Sequence, residues 1–359
     1  MKITSKSSIL NHIPVEHGAR IPLNNSNSVI DFSSNINPLG MPKSVKMILQ
    51  KNLENIQNYP DFGSSIVFSS LEKYTHLPRS NLTVGNGAIE IIYNFCFAFL
   101  SKKTSVLIPI PTFQEYETAS KLHNSKILFL KTMNLAENLD LFISKIPKNG
   151  CVFLCNPNNP TGNLLSKNKV LKIIKSAKKL SSIVFVDECF IELVPNYNES
   201  VISYVKKYDN LIVLRSLTKS YGLPGIRIGY AAGSKKIIDI LEKIKIPWSV
   251  NSLAQQAASN ALRNKQHLKK SKILIQKELN YLNDQFSKLK GFEYVDSYTN
   301  FILIKTIYDS TKLQSKLLKH KILIRDCKNF RGLNNHYIRI AVKSHKENLK
   351  LIQALEKII

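Results

Sequence analysis

Arginine is scarce in this chain, with 8 among 51 basic residues, the other 43 being lysine. Where lysine is the default cation, an arginine marks a place that needs a planar fork of donors for a carboxylate or phosphate. Arg215, Arg227, Arg325, Arg331 and Arg339 all fall in or beside the motifs described below. Acid is short too: 25 Asp and Glu leave a formal charge of +26. Such a charge raises the question of nucleic-acid binding. The lysines, however, are spread over nearly every helical segment, as in Lys167, Lys169, Lys172, Lys175, Lys178 and Lys179 of one helix. They read as solvated faces, and no nucleic-acid partner is expected. No apolar run reaches the roughly 18 residues of a membrane span, and the N-terminus lacks the long apolar core of a secretory signal. We expect a cytoplasmic protein without membrane contact. The five cysteines form no CxxC pair, which suits a reducing compartment and argues against a metal site.

At 359 residues, with 43% hydrophobic and 21% charged residues, the chain can bury a large core and divides into about two domains. Short β-rich runs (Ser105–Pro109, Lys126–Leu130, Cys151–Cys155, Ile183–Asp187, Leu211–Ser216, Ile226–Ala231) alternate with amphipathic helical patterns such as Lys167–Leu180. This alternation predicts an α/β fold with a mostly parallel sheet covered on both faces. Its active site lies beyond the carboxyl ends of the strands. After Pro247 the texture changes to long helical segments, Asn251–Lys290, broken near Asn264. Three shorter strands follow, Phe301–Lys305, Ile322–Arg325 and Tyr337–Val342, and a last helix, His345–Ile359. We therefore expect an arm over residues 1–45 that joins the small domain, a large domain over 46–250, and a hinge helix with a small α+β domain over 251–359.

Four motifs carry chemistry. Ser216, Lys219 and Arg227 follow a buried strand as S-x-x-K with an arginine eight residues on. A lysine there, flanked by a hydroxyl and an arginine, suits an imine to an aldehyde cofactor whose phosphate needs those partners. Asn156-Pro157-Asn158-Asn159-Pro160-Thr161-Gly162 is a rigid turn after a strand. In it Asn159 offers an amide donor to a phenolate-like oxygen. Asp187 ends another strand, 32 residues before Lys219, where a carboxylate would keep a pyridine nitrogen protonated. Val84–Glu90 is a glycine-rich turn opening a helix. It lacks the third glycine and a clean preceding strand of a dinucleotide site, but the amides of Gly87, Ala88 and Ile89 still form a phosphate cradle. Phe113, after the strand Ser105–Pro109, is placed either to stack on a cofactor ring or in the core.

In this order, Lys219, Asn159, Asp187, Arg227 and the glycine turn resemble the fold-type I pyridoxal-phosphate enzymes of the aminotransferase class I/II group, over nearly the whole chain. Within that group, His17-Gly18, Asp31–Gly40, Tyr59-Pro60-Asp61, Pro247–Asn251 and Ile322–Arg325 resemble the threonine-phosphate decarboxylases of cobalamin biosynthesis. The histidinol-phosphate aminotransferases share fewer of these stretches. The resemblance implies pyridoxal 5′-phosphate as cofactor, Lys219 as its Schiff-base lysine and Asp187 as partner of the ring nitrogen. It further implies Asn159 on the ring oxygen, Ser216, Thr218 and Arg227 around the phosphate, and Arg339 on the substrate α-carboxylate. Tyr59 resembles a tyrosine that reaches the neighbouring subunit's cofactor phosphate, which implies a homodimer with shared sites. Arg325 resembles the residue that takes the phosphate of a small phosphorylated amino-acid substrate, with His17, Ser34, Asn37 and Arg331 as further candidates on the substrate.

Phe190 stands three residues after Asp187, where many aminotransferases carry a tyrosine, and phenylalanine there resembles the decarboxylases. The expected activity is decarboxylation of L-threonine O-3-phosphate, with transamination of histidinol phosphate or a similar amine as the alternative. Both use one residue list: whichever Cα bond stands perpendicular to the cofactor ring breaks. A DNA-binding regulator on the same fold would need an added helix-turn-helix domain, and only about 30 residues precede Asp31-Phe32-Ser33.

Overall fold

A computed structural model describes residues 5–10, 12–19, 29–195 and 198–358. Parts of the expected arm, 1–4, 11 and 20–28, lie outside the described residues.

Seven strands form the main sheet in the order Leu82–Asn86, Ile228–Gly233, Leu211–Ser216, Ile183–Asp187, Cys151–Cys155, Ser105–Ile110, Lys126–Lys131. Six run in one direction, and Ile228–Gly233 alone among these seven is antiparallel to both of its neighbours. The central strands are buried along their length, so their side chains divide by parity between two cores. Val152, Leu154, Val184, Val186, Leu211 and Val213 pack with Ile173 and Ile174 of the helix Lys167–Lys179. Phe153, Phe185, Ile212 and Leu214 pack on the other face with Ile91 and Phe95 of the helix Gly87–Phe99.

The same parity sorts the polar residues at the strand ends. Asp187 and Ser216 continue the second set. Glu188 and Arg215 continue the first, and there the Arg215 guanidinium binds Glu188 at 2.7 Å and Glu192 at 3.0 Å. Arg215 thus holds carboxylates of its own chain.

The strand Leu82–Asn86 corrects one expectation. The glycine turn does follow a strand, hidden in the sequence because only Leu82, Thr83 and Val84 show β character before the glycines begin. Its pairing with Ile228–Gly233 supplies the missing support.

Asn264 breaks the long helical stretch as expected, its side chain accepting from the His267 N–H at 3.1 Å to cap the helix Lys265–Lys288. The preceding helix, Ser252–Arg263, packs on the helices Lys43–Lys51 and Ser65–Thr75. A second, antiparallel sheet has the order Arg325–Asp326, Tyr337–Ala341, Phe301–Thr306, Phe292–Tyr294.

The expected strand Ile322–Arg325 is two. Ile322–Leu323 pairs in parallel with Ile30–Asp31 of the arm, and Arg325–Asp326 pairs with Tyr337–Ala341. Between them the Ile324 carbonyl accepts from the Gln314 side chain at 2.6 Å and is lost to either ladder.

Candidate active site

The carboxyl ends of four parallel strands open onto one cavity of about 560 Å³. Phe113 comes from beyond Ser105–Ile110, Asn159 from beyond Cys151–Cys155, Asp187 from the end of Ile183–Asp187 with Cys189 just beyond it, and Ser216 from the end of Leu211–Ser216 with Thr218 and Lys219 just beyond it. The helix Gly87–Phe99 adds Ala88 and Ile89, the second sheet Arg325 and Arg339, and the arm His17 and Ser34. A cavity between two sheets thus gathers residues that lie up to 322 positions apart, from His17 to Arg339.

Two of the four motifs divide labour between structure and cavity. In the asparagine turn, Asn156 bonds Leu165 in both directions, at 3.0 and 2.8 Å, and Asn158 donates to Pro111 and Thr161 and accepts from Thr112. Only Asn159 faces the cavity. Its Oδ1 accepts from Arg339, which leaves the amide N–H₂ as the group pointed at a ligand. At the glycine turn, Gly87 has φ +75°, and a Cβ there would collide with the Arg227 guanidinium. Arg227 itself holds a left-handed backbone, φ +62°, at a cost of about 1–2 kcal/mol, and thereby lies over the first turn of the helix. A Cβ on Gly229 would come within 2.5 Å of the Ala88 nitrogen, so that strand also needs glycine for the helix start to sit against it.

Asp187 is buried. Its Oδ2 accepts from the Tyr116 hydroxyl at 2.5 Å and its Oδ1 from the Cys189 N–H at 2.9 Å. Burial nevertheless pushes its carboxyl above the ordinary range, because no described cation pairs with it. A buried carboxylate at a cavity wall without a counter-charge fits a cationic ring N–H. Arg339, buried, donates to Asn159 and, at 2.8 Å, to the Ser33 carbonyl. Burial lowers it to about 10, and its Nε has no hydrogen-bond partner among the described residues, a donor unspent beside the cavity. These residues fit pyridoxal 5′-phosphate: Asp187 for the ring nitrogen, Asn159 for the ring oxygen, and the Gly87–Ile89 amides, Ser216 and Arg227 for the phosphate.

Lys219 is half-buried at the cavity wall, and burial, followed by Arg339, brings its amine down to about 8. A neutral amine is the form that attacks an aldehyde. When pyridoxal phosphate is added to the apo protein, the rate at which the lysine-linked absorbance band appears should therefore rise about tenfold per pH unit below 8 and level off above it. A rise continuing past pH 10, as for an ordinary lysine, would refute the depressed value. Stability follows the same sign. In the apo protein the charged amine is disfavoured below pH 8, and that penalty fades as pH rises from 8 toward 10.5.

Three expected residues lie elsewhere. The Asn37 amide is spent on the Ser220 carbonyl at 2.6 Å and Ser271 at 2.7 Å, and its oxygen accepts from the Leu39 N–H. It anchors the turn that carries Lys219 rather than lining the cavity. Arg331 forms a two-pronged pair with Glu117, at 2.7 and 2.6 Å, and covers the Phe129 ring. A satisfied guanidinium on the outer surface is not a cavity ligand. Tyr59 is 82% exposed and packs on Trp248, 5.0 Å between ring centres, outside its own chain's cavity.

His17 lines the cavity but points its Nε2 at Glu115, 2.7 Å away. Arg325 donates to the Glu16 carbonyl at 2.6 Å and to Asn329 at 3.1 Å. The arm segment Val15–Ala19, which lines the cavity, is thereby tied to the second sheet through Arg325 and to Glu115 through His17.

The sequence reading missed Tyr116, Cys155, Cys189 and Gln114. For Tyr116 the signal was its spacing, one turn after Phe113 and so on the same side of a helical segment. Among the described residues no group of three His, Cys, Asp or Glu could hold a metal, and no helix is long and apolar enough to cross a membrane.

Residues 27–355 match the family described as aminotransferase class I and II. A histidinol-phosphate aminotransferase of Methanococcus aeolicus is 34% identical over 342 residues, 93% of this chain and 91% of the relative. A Caldanaerobacter subterraneus protein, provisionally named threonine-phosphate decarboxylase, is 37% identical over 347 residues, covering 95% and 93%. Among solved structures, L-threonine-O-3-phosphate decarboxylase of Porphyromonas gingivalis superimposes with a TM-score of 0.83 at 27% identity, over 91% of this chain and 98% of that one.

Proposed function

The chain belongs to the class I and II aminotransferase family and uses that family's cofactor, pyridoxal 5′-phosphate; from this premise we propose that it decarboxylates L-threonine O-3-phosphate to (R)-1-aminopropan-2-yl phosphate. Phe190 carries the reading. It lines the cavity and packs edge-on against Phe301, 5.0 Å between ring centres, so the position where many aminotransferases have a tyrosine hydroxyl is apolar here. The bound cofactor supplies an electron sink for the charge that develops at the substrate's Cα.

The protein's own groups do the rest. Arg339, with its unspent Nε, orients the α-carboxylate. Arg325, directly across the strand pair from Arg339, holds the phosphate together with Ser34 and His17 of the arm. Asp187 keeps a proton on the ring nitrogen, and Lys219 Nζ delivers a proton to the carbon that loses carbon dioxide. Residues 15–19 of the arm, which line the cavity, exclude water from that side. We place a second copy of the chain against the exposed Leu53, Ile56, Tyr59, Phe62 and Trp248, which would carry Tyr59 to the partner's phosphate site.

The second reading is transamination of histidinol phosphate. Several relatives of similar identity carry that activity in their names, and Arg325 and Arg339, both lining the cavity, also serve an oxoacid acceptor.

One assay separates the two. The holoenzyme is expected to release carbon dioxide from L-threonine O-3-phosphate with no 2-oxoacid present. In heavy water the product should carry one deuterium at the carbon that bore the carboxylate. A transaminase would instead stall after one turnover without 2-oxoglutarate, its visible band bleached and no gas evolved, and that outcome would sink the first reading.

A further inference from the structure

Tyr116 stands behind the group that faces the cofactor ring. Its hydroxyl donates to Asp187 Oδ2 at 2.5 Å. Its ring is stacked on Phe153, 4.9 Å between centres with planes 9° apart, and meets Phe113 edge-on at 5.5 Å. The side chain is fully buried, so no water competes for the hydroxyl, and packing on two sides fixes the direction in which it donates.

Resting on the reading of the cavity as a pyridoxal-phosphate site, we propose that Tyr116 is a positioning residue that keeps Asp187 anionic, so that the proton the two share resides on the cofactor's ring nitrogen and not on the carboxylate. In a dry site a carboxylate and a pyridinium tend to neutralise each other by proton transfer, because little solvates the separated charges. A strong donor on the carboxylate opposes this by making it less basic. Asp187 has few such donors among the described residues: the Tyr116 hydroxyl at 2.5 Å, the Cys189 amide at 2.9 Å and the Cys189 thiol, an intrinsically weak donor. Burial already pushes the carboxyl upward despite them, so removing the Tyr116 hydroxyl, whose contact is short at 2.5 Å, moves the balance further toward the neutral pair. A protonated ring nitrogen is the stronger electron sink. The hydroxyl therefore acts on the rate through Asp187 without touching the cofactor.

The test uses the holoenzyme loaded with pyridoxal phosphate labelled with ¹⁵N at the ring nitrogen. The wild-type resonance is expected at the pyridinium position. Tyr116→Phe keeps the stacked ring and deletes the donor. It should move the resonance toward the free-base position and slow turnover on the order of 10- to 100-fold, the loss typical of a charge-assisted hydrogen bond. A fluorinated tyrosine placed at 116, a more acidic donor of nearly the same shape, should move the resonance the opposite way, and this variant decides the matter if the phenylalanine form does not fold. A resonance that stays in place in both variants overturns the proposal and leaves Tyr116 a packing residue. A wild-type protein that takes up no labelled cofactor overturns the underlying reading of the site instead.

Discussion

Replacing Lys219 by alanine is expected to give a folded protein without the visible absorbance band and with turnover reduced on the order of 10³-fold or more. The side chain carries two jobs at once. On the proposed reading its amine is the covalent partner of the aldehyde and then the group that moves a proton at the substrate carbon, and alanine removes both. Folding should survive, because Lys219 is a desolvated cation without a salt-bridge partner among the described residues, its amine held down to about 8 by burial and by Arg339. Below pH 8 its removal relieves a penalty. Thermal unfolding of the apo variant at pH 7 should therefore show a midpoint at or above the wild-type value. A variant that keeps the band, or that retains more than about a tenth of the wild-type turnover, would mean that another residue serves the aldehyde.

Asp187→Asn is expected to separate binding from chemistry. The amide keeps the shape of the carboxylate, and its oxygen can still accept from Tyr116 or from the Cys189 N–H. The negative charge that the proposed reading sets opposite the ring nitrogen is gone. Cofactor uptake, followed by the absorbance of the dialysed protein, should persist, while kcat falls by about 10²–10³, the usual loss when a preorganised electrostatic partner of the reacting system is removed. Since burial pushes the wild-type carboxyl upward, the charged form is disfavoured in the folded apo protein at neutral pH. The apo variant should not lose stability there. An unchanged kcat would place the electronic control of the ring elsewhere.

Much of this fold can be read before any coordinates. Hydrophobic runs of five or six residues, each ending in a residue of chemical use, place Asn159 just beyond one central strand and Asp187 and Ser216 at the ends of two others. The strands Cys151–Cys155, Ile183–Asp187 and Leu211–Ser216 have their expected limits. Strand parity even distinguishes Asp187 from Glu188, since Asp187 shares a face with Phe185 and Glu188 with Val186. The edge strand before the glycine turn was harder to see, because its stability comes from pairing with Ile228–Gly233 and not from its own three β-forming residues.

The sequence by itself marked the strand ends that are candidates for chemistry, because residue type and position along each strand are local. The order of four motifs on separate strands, by its resemblance to a known family, marked the cofactor. Only the tertiary structure decided which polar groups face the cavity. Arg331 and Asn37 lie in loops, where no periodicity tells direction, and both found partners closer than the cavity, in Glu117 and in Ser220 and Ser271. His17 and Arg325 are 308 positions apart, yet the arm brings both to one cavity. Tyr116 meets Asp187 across 71 positions, a contact made by the packing of a helix on a sheet. Direction is a property of packing, and packing belongs to the whole chain.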